Sequence, residues 1–220
     1  MAPSNKVTIL SFFWMLLYSN AIDTNINCLK AFKDSMEDPN NFLSSWNFSN
    51  AAEGYMCTFI GIECWHPNEN RVLNIRLPNL GLKGMLPIEL AECTSMTGLD
   101  LSGNLLYGTL PTNISKILPF VTYLDLSANN FSGQIPQNLA NCSYLNVLKL
   151  DNNHFSGQIP VGLGRLTRIR EFSVANNSLS GQVPVFQNGN ISAGSYVGNP
   201  GLCGGPLPPC HQGPSNKTNT

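Results

Sequence analysis

Charge is scarce in this 220-residue chain. Asp, Glu, Lys and Arg make up 11 % of it and the formal net charge is −1, against a charged fraction of about 25 % in ordinary domains. With so few cations there is no basic surface to attract nucleic acid, and that partner class is excluded. Histidine is equally thin: His66, His154 and His211 are the three, and they lie in unrelated places. No pattern of nucleophile and base emerges around them, so no catalytic residue is assigned and no cofactor is expected. The glycine-rich stretch GNPGLCGG lacks the lysine and the following helix of a phosphate loop. Long hydrophobic runs are missing as well. One apolar run, Val7 to Leu17, is too short for a membrane span, which needs about 20 residues. It follows the positive Lys6 and precedes Ser19-Asn20-Ala21, which predicts a secretory signal over residues 1–21, cleaved after Ala21. No later stretch approaches spanning length. The expectation is a secreted, extracellular chain with no transmembrane segment.

What the chain has instead is repetition. Five blocks fall into register: LNIRLPNLGLKGMLP, TGLDLSGNLLYGTLP, TYLDLSANNFSGQIP, NVLKLDNNHFSGQIP and REFSVANNSLSGQVP. They close on Pro87, Pro111, Pro136, Pro160 and Pro184, at spacings of 24, 25, 24 and 24 residues. Apolar residues alternate within each block: Ile75 and Leu77, Leu99 and Leu101, Leu124 and Leu126, Leu148 and Leu150, Phe172 and Val174. Alternation predicts a strand with one buried face. One such strand cannot bury that face alone, whereas stacked neighbours join five small faces into one core. An asparagine follows each strand at Asn104, Asn129, Asn153 and Asn177, where its amide can satisfy the backbone of an inward turn. The first block has Leu80 there, which predicts a less regular turn. Gly84, Gly108, Gly133, Gly157 and Gly181 recur at one offset, marking positions of positive φ or no room for a side chain. The extra residue in NISKILPF predicts a bulge on the convex side near Pro119. The period is that of leucine-rich repeats. The fold expected is an α/β solenoid: a right-handed arc of five repeats over residues 71–185 with a parallel concave sheet.

An exposed solenoid end needs a cap. Residues 22–70 read as the amino-terminal one. Leu29, Phe32 and Met36 lie at helical spacing, and Asp38-Pro39 suggests a second short helix with Asp38 at N-cap, packing Phe42, Leu43 and Trp46 inward. Residues 186–210 read as the carboxyl-terminal cap and 211–220 as a flexible tail rich in Gly, Pro, Ser and Asn. Cys57 and Cys64, and Cys203 and Cys210, share one separation and are expected to form one disulfide in each cap. A zinc reading of Cys57, Cys64 and His66 conflicts with the usual two to four residues between zinc-binding cysteines. Cys93 and Cys142 occupy equivalent places two repeats apart, about 9–10 Å, beyond the roughly 7 Å that a disulfide spans. Both are therefore expected to be buried free thiols. Cys28 is left either free or paired within the cap. Seven sequons suit a secreted chain: Asn47, Asn113, Asn130, Asn141, Asn176, Asn190 and Asn216. Of these, Asn130 and Asn176 sit beside the asparagine row, where hindrance is expected.

The repeat LxxLxLxxNxFSGxIP, the cysteine pair before it and NPGLCGxPL…C after it resemble the extracellular domain of plant leucine-rich-repeat receptor kinases. CLKAFKDSMEDPNNFLSSWNF, GYMCTFIGIECWHPNENRVLNIRL and above all CWHPNENRVL (Cys64 to Leu73) are similar to the BAK-interacting receptor-like kinases, which have five-repeat ectodomains. The resemblance covers residues 26–210. It implies a regulatory role: binding the ectodomain of a co-receptor of the somatic-embryogenesis receptor-like kinase type, and thereby restraining immune and growth signalling. Family members continue through a membrane helix into a kinase or pseudokinase domain, and this chain ends at Thr220. Two expectations follow: a fragment of a receptor on the outer side of the plasma membrane, or a free secreted ectodomain in the apoplast. A five-strand arc is too short to wrap a peptide, so side-on contact through the cap and concave strands is expected. Arg76, Tyr123, Asp125, Lys149 and Glu171 are the candidate contacts, and Asp100 beside Asp125 is expected to form a solvated acidic patch. The alternative is an inhibitor of a microbial wall-degrading enzyme, similar to polygalacturonase inhibitors; those have about twice as many repeats.

Overall fold

The computed structural model describes residues 24–50, 52–187 and 191–210. The expected signal segment and tail lie outside these residues, as do Asn190, Asn216 and His211. The chain opens with helix α1, residues 24–34, followed by β1 (Met36–Glu37) and 3-10 turns at Phe42–Ser45 and Tyr55–Thr58. Strand β2 (Ile62–Cys64) leads into the repeats. Each repeat then supplies one concave strand: β3 (Val72–Arg76), β5 (Gly98–Asp100), β7 (Tyr123–Asp125), β9 (Val147–Lys149) and β11 (Glu171–Ser173). These pair in parallel in chain order, and β2 closes the first edge antiparallel to β3. The buried middle residues Ile75, Leu99, Leu124, Leu148 and Phe172 stand in one register across the sheet. Each is expected to contribute about 2 kcal/mol by burial.

A second parallel sheet, not foreseen from the sequence, forms behind the first. Its strands are β6 (Tyr107–Thr109), β8 (Asn130–Gln134), β10 (His154–Gln158), β12 (Ser178–Gln182) and β13 (Gly201–Cys203). In the first repeat the matching segment, β4 (Lys83–Gly84), pairs with β1 of the cap instead. A Cβ on Gly84 would lie 2.3 Å from the Ser35 carbonyl oxygen, so that close pairing requires glycine. The stacked rings of Phe131 and Phe155, 6.3 Å apart, fill the space between the two sheets. Convex 3-10 turns follow each proline at Ile88–Glu92, Gln137–Asn141 and Val161–Arg165. The repeat with the extra residue has a turn of α-helix there, α2 (Ile114–Ile117), with Leu118 N–H bonded to Ile114 O at 2.9 Å. The insertion is absorbed by one wider turn.

The asparagine row is the hydrogen-bonded spine. Asn153 donates from Nδ2 to the carbonyls of Leu126 (2.9 Å), Leu150 (3.2 Å) and Asp151 (3.2 Å), and its Oδ1 accepts from Phe131 N–H (3.0 Å). One side chain thus ties its own turn to the preceding repeat. Asn104, Asn129 and Asn177 do the same. Asn199 extends the row into the carboxyl cap, bonding Val174 O and Leu179 N–H. At the first turn Leu80 has no such side chain; its N–H goes to Asn104 and its carbonyl accepts from Asn40 of the cap.

The amino cap differs from expectation in two respects. The short helix begins at Phe42, after Asn41 in a left-handed conformation (φ 55°), not at Pro39. Asp38 still caps it from a distance, through Oδ2 to Leu43 N–H at 2.7 Å. Leu43 and Trp46 are buried as expected, while Phe42 is exposed. The larger correction concerns Cys93, which is not a free thiol. It is bonded to Cys28, with Cα atoms 5.5 Å apart, because α1 packs against the outer segment of the first repeat. Cys57–Cys64 and Cys203–Cys210 are the other two bridges. The first engages the two sulfurs that a zinc site would have needed. Cys142 is the remaining thiol, buried, and burial pushes its pKa up to about 12.

Two measurements check this framework. Without reductant, Ellman's reagent should find no reactive thiol in the native protein and one per chain after denaturation; three would contradict the Cys28–Cys93 bridge. Replacing Asn153 by Ala strands the buried Phe131 N–H and removes one of the donors from the carbonyls of Leu126, Leu150 and Asp151, each of which keeps another, so urea unfolding should show a loss of about 2 kcal/mol or more. Ala128 sits at φ 52° where neighbouring repeats use Gly103 or Asn152, and Ala128→Gly should gain about 1 kcal/mol in the same assay.

Candidate protein-binding surface

The concave sheet presents two rows of side chains between its buried rows, one residue per repeat. One runs Asn74, Gly98, Tyr123, Val147, Glu171; the other runs Arg76, Asp100, Asp125, Lys149, Ser173. Strand spacing sets neighbours in a row about 4.8 Å apart. Arg76 is exposed and its Nε lies 3.4 Å from Glu63 of β2. Lys149 is half-buried and its Nζ lies 3.2 Å from Glu171. Burial pulls the Lys149 pKa down, but its hydrogen bond to Glu171 and the nearby negative charge outweigh this and leave it raised. Tyr123 is half-buried; burial and then the charges of Asp125 and Asp100 raise its pKa, opposed by Lys149. Its hydroxyl donates to Asp125 Oδ2 at 3.3 Å.

Asp125 does not join Asp100 in the expected solvated patch. Asp125 is 6 % exposed. Its Oδ1 accepts from Ser127 N–H (3.0 Å) and Ser127 Oγ–H (2.6 Å). Asp100 makes the same pair of bonds to Ser102. The Asp-x-Ser spacing in LDLS lets each carboxylate close the turn that leaves its own strand. Asp125 therefore acts beneath the surface, holding Tyr123 and the turn, not as an exposed contact.

A third row lies outside the alternating pattern of the strands. It lies on the flank where the chain enters each concave strand. Arg71, Ser95, Phe120, Tyr144 and Arg168 occupy equivalent places, spaced by the same 24- and 25-residue steps as the repeats. Trp65, just beyond β2, joins its first member: the Arg71 guanidinium lies 5.2 Å from the Trp65 ring, and both side chains bond Ser95. The Phe120 and Tyr144 rings are 6.1 Å apart, and Arg168 lies 5.4 Å from the Tyr144 ring. Trp65, Phe120 and Tyr144 are 43, 48 and 41 % exposed, too much for core residues. Aromatic rings held by arginines combine apolar area with fixed orientation, the composition enriched at the centres of protein interfaces. The signal was in the sequence, but a position before each strand falls outside the alternating pattern used to find contacts.

Among the described residues no group of three or more His, Cys, Asp or Glu is placed to hold a metal ion, and no helix is long and apolar enough to cross a membrane. Comparison with known proteins agrees with the architecture. Residues 22–65 match the leucine rich repeat N-terminal domain, and residues 120–142 and 144–166 match the leucine rich repeat. The class is thus a capped leucine-rich-repeat protein. The crystal structure of the BIR2 ectodomain from Arabidopsis thaliana is 49 % identical, with a TM-score of 0.82 over 84 % of this chain and 96 % of that one. BIR3 in the BIR3–SERK2 complex, also from Arabidopsis thaliana, is 41 % identical, with a TM-score of 0.80 over 85 % of this chain and 99 % of that one. Against the whole inactive receptor-like serine/threonine-protein kinase BIR2, identity is 47 % over 145 residues, 64 % of this chain and 24 % of that protein. This chain belongs to the leucine-rich-repeat receptor-like kinases and covers their ectodomain region, the extracellular part. It spans about a quarter of the length of the curated relatives it matches.

The division between exposed and structural residues is testable by unfolding. Tyr144→Ala and Arg168→Ala should each change stability by less than about 0.5 kcal/mol. Asp125→Ala removes the acceptor of Ser127 N–H and should cost about 2 kcal/mol. Equal losses for all three would contradict the assignment.

Proposed function

We propose that this chain is a non-enzymatic extracellular docking module that binds the ectodomain of a leucine-rich-repeat co-receptor and so regulates receptor-kinase signalling in immunity and growth. The observation that carries the proposal is the exposed flank row ending in Phe120, Tyr144 and Arg168. The similarity of the whole chain to BIR3, whose structure contains SERK2, supports a co-receptor of the somatic-embryogenesis type as the partner. The site of action is the apoplast or the outer side of the plasma membrane.

From Arg71 to Arg168 the flank row spans four strand spacings, about 19 Å, and is one side chain wide. A stable interface buries about 800 Å² on each partner, so the row needs the adjoining concave residues. Tyr123, Val147, Lys149 and Glu171 lie beside it and complete the surface. Arg76, paired with Glu63, extends it toward the cap. In this reading the rings supply affinity. The ion pairs are exposed and each is worth at most about 1 kcal/mol, so they set orientation and partner choice.

Titration calorimetry against a co-receptor ectodomain tests the reading. The Tyr144→Ala/Arg168→Ala double variant should lose at least about tenfold in affinity, and the Arg76→Ala/Tyr123→Ala/Lys149→Ala triple variant should lose less. Wild-type affinity in both folded variants would rule this surface out.

A further inference from the structure

We propose that N-linked glycans occupy Asn47, Asn113, Asn130 and Asn141 and leave Asn176 bare, so that the carbohydrate lies on the cap, the convex turns and the second sheet and the docking surface stays unmodified. The inference rests on the extracellular reading above, since the modification belongs to the secretory route. All five sequon asparagines among the described residues are exposed, so exposure alone does not separate them. The bonding of the amide nitrogen does. The Asn113, Asn130 and Asn141 side chains make no hydrogen bond within the described residues. Asn47 uses only its Oδ1, which accepts from Ser49 N–H at 3.0 Å. Asn176 is different: its Nδ2 donates to Asn152 Oδ1 at 2.8 Å, and the Asn152 amide in turn donates to Asp151 Oδ2 at 2.7 Å. Asn176 is also packed against the last cap. A Cβ on Gly198 would lie 2.1 Å from Asn176 Oδ1 and 2.9 Å from its Cα.

The modification forms a bond from Nδ2 to the anomeric carbon of an oligosaccharide carried on a lipid pyrophosphate. The bond from that carbon to the donor phosphate breaks, and the lipid pyrophosphate and one amide proton leave. At Asn176 the one amide proton that modification leaves can still serve Asn152, but the sugar would start in the crowded space between the neighbouring repeat and the last cap, where Gly198 lies against the Asn176 side chain. At Asn141 there is room. It borders an open cleft of about 650 Å³ with Thr109, Thr112, Gln134, Gln137 and Asn138. That lining carries no charge and offers hydroxyl and amide partners to the first sugars. Asn113 adjoins the same cleft through Thr112. Asn130 points outward from the first residue of β8. No sequon falls on the concave strands or on the flank row.

The test is glycopeptide mass spectrometry on the folded chain, secreted from insect cells behind a heterologous leader. Glycan on most molecules at Asn47, Asn113, Asn130 and Asn141, with less than about a tenth at Asn176, is the result expected. Majority occupancy of Asn176 in folded protein, or bare asparagines at the other four, would overturn the map. Asn176→Gln gives an independent reading: the mass of the intact glycoprotein should keep its full glycan complement, and loss of one glycan would contradict the proposal. No partner enters either measurement, so failure of the map is separable from failure of the docking reading.

Discussion

A single buried amide per repeat holds this molecule in register. Each side chain of the row Asn104, Asn129, Asn153, Asn177 and Asn199 bonds carbonyls of its own turn and backbone of the repeat before it. Apolar contacts supply most of the energy and oppose a one-residue slip, which would turn the buried face outward, but they are non-directional. An amide with fixed donors and acceptors is directional, because a displaced partner is left buried and unbonded. The row therefore converts a loosely specified stack of leucines into strands with one alignment. It also explains why both ends need lids: the cap contributes Asn40 where the first repeat has Leu80, and Asn199 continues the row past the last repeat.

Fixed register has a functional consequence. If strands align one for one, equivalent residues form straight rows at strand spacing, on the concave sheet and on the flank beside it. Phe120, Tyr144 and Arg168 are neighbours only because the repeats stack without slip. The same logic places Tyr123 beside Val147 and Lys149 beside Asp125. A binding surface is then written one residue per repeat, while the interior that positions it can stay nearly constant. The carboxylates of Asp100 and Asp125 each close the turn that leaves their strand, and Asp125 does so beneath the face it was expected to decorate.

Much of this was legible from the chain alone. The five-repeat arc, the parallel concave sheet, the asparagine row and the buried Cys142 follow from periodicity and the alternation of apolar residues. What escaped depends on contacts between unlike segments. The Cys28–Cys93 bridge joins a cap helix to the outer side of a repeat, and comparing Cys93 with Cys142 within the array could not reveal it. Asn199 was hidden because the cap shortens the step from Asn177 to 22 residues, off the repeat period. The second sheet arises from FSG segments too short to announce strands, which become strands by pairing with their copies. The flank row lies before each strand, where no burial pattern constrains the residue type. Its periodicity becomes meaningful once the coil shows that these positions share an edge.

The central claim is that another polypeptide docks on the strand-entry flank and adjoining concave face. Hydroxyl-radical footprinting, with and without a co-receptor ectodomain, addresses it directly. Tyr107 and Met85 are exposed on other parts of the surface and serve as internal references. The account predicts that the partner slows oxidation of Phe120 and Tyr144 several-fold and leaves Tyr107 and Met85 unchanged. Protection of Tyr107 and Met85, with Phe120 and Tyr144 oxidised at their free rates, would contradict it.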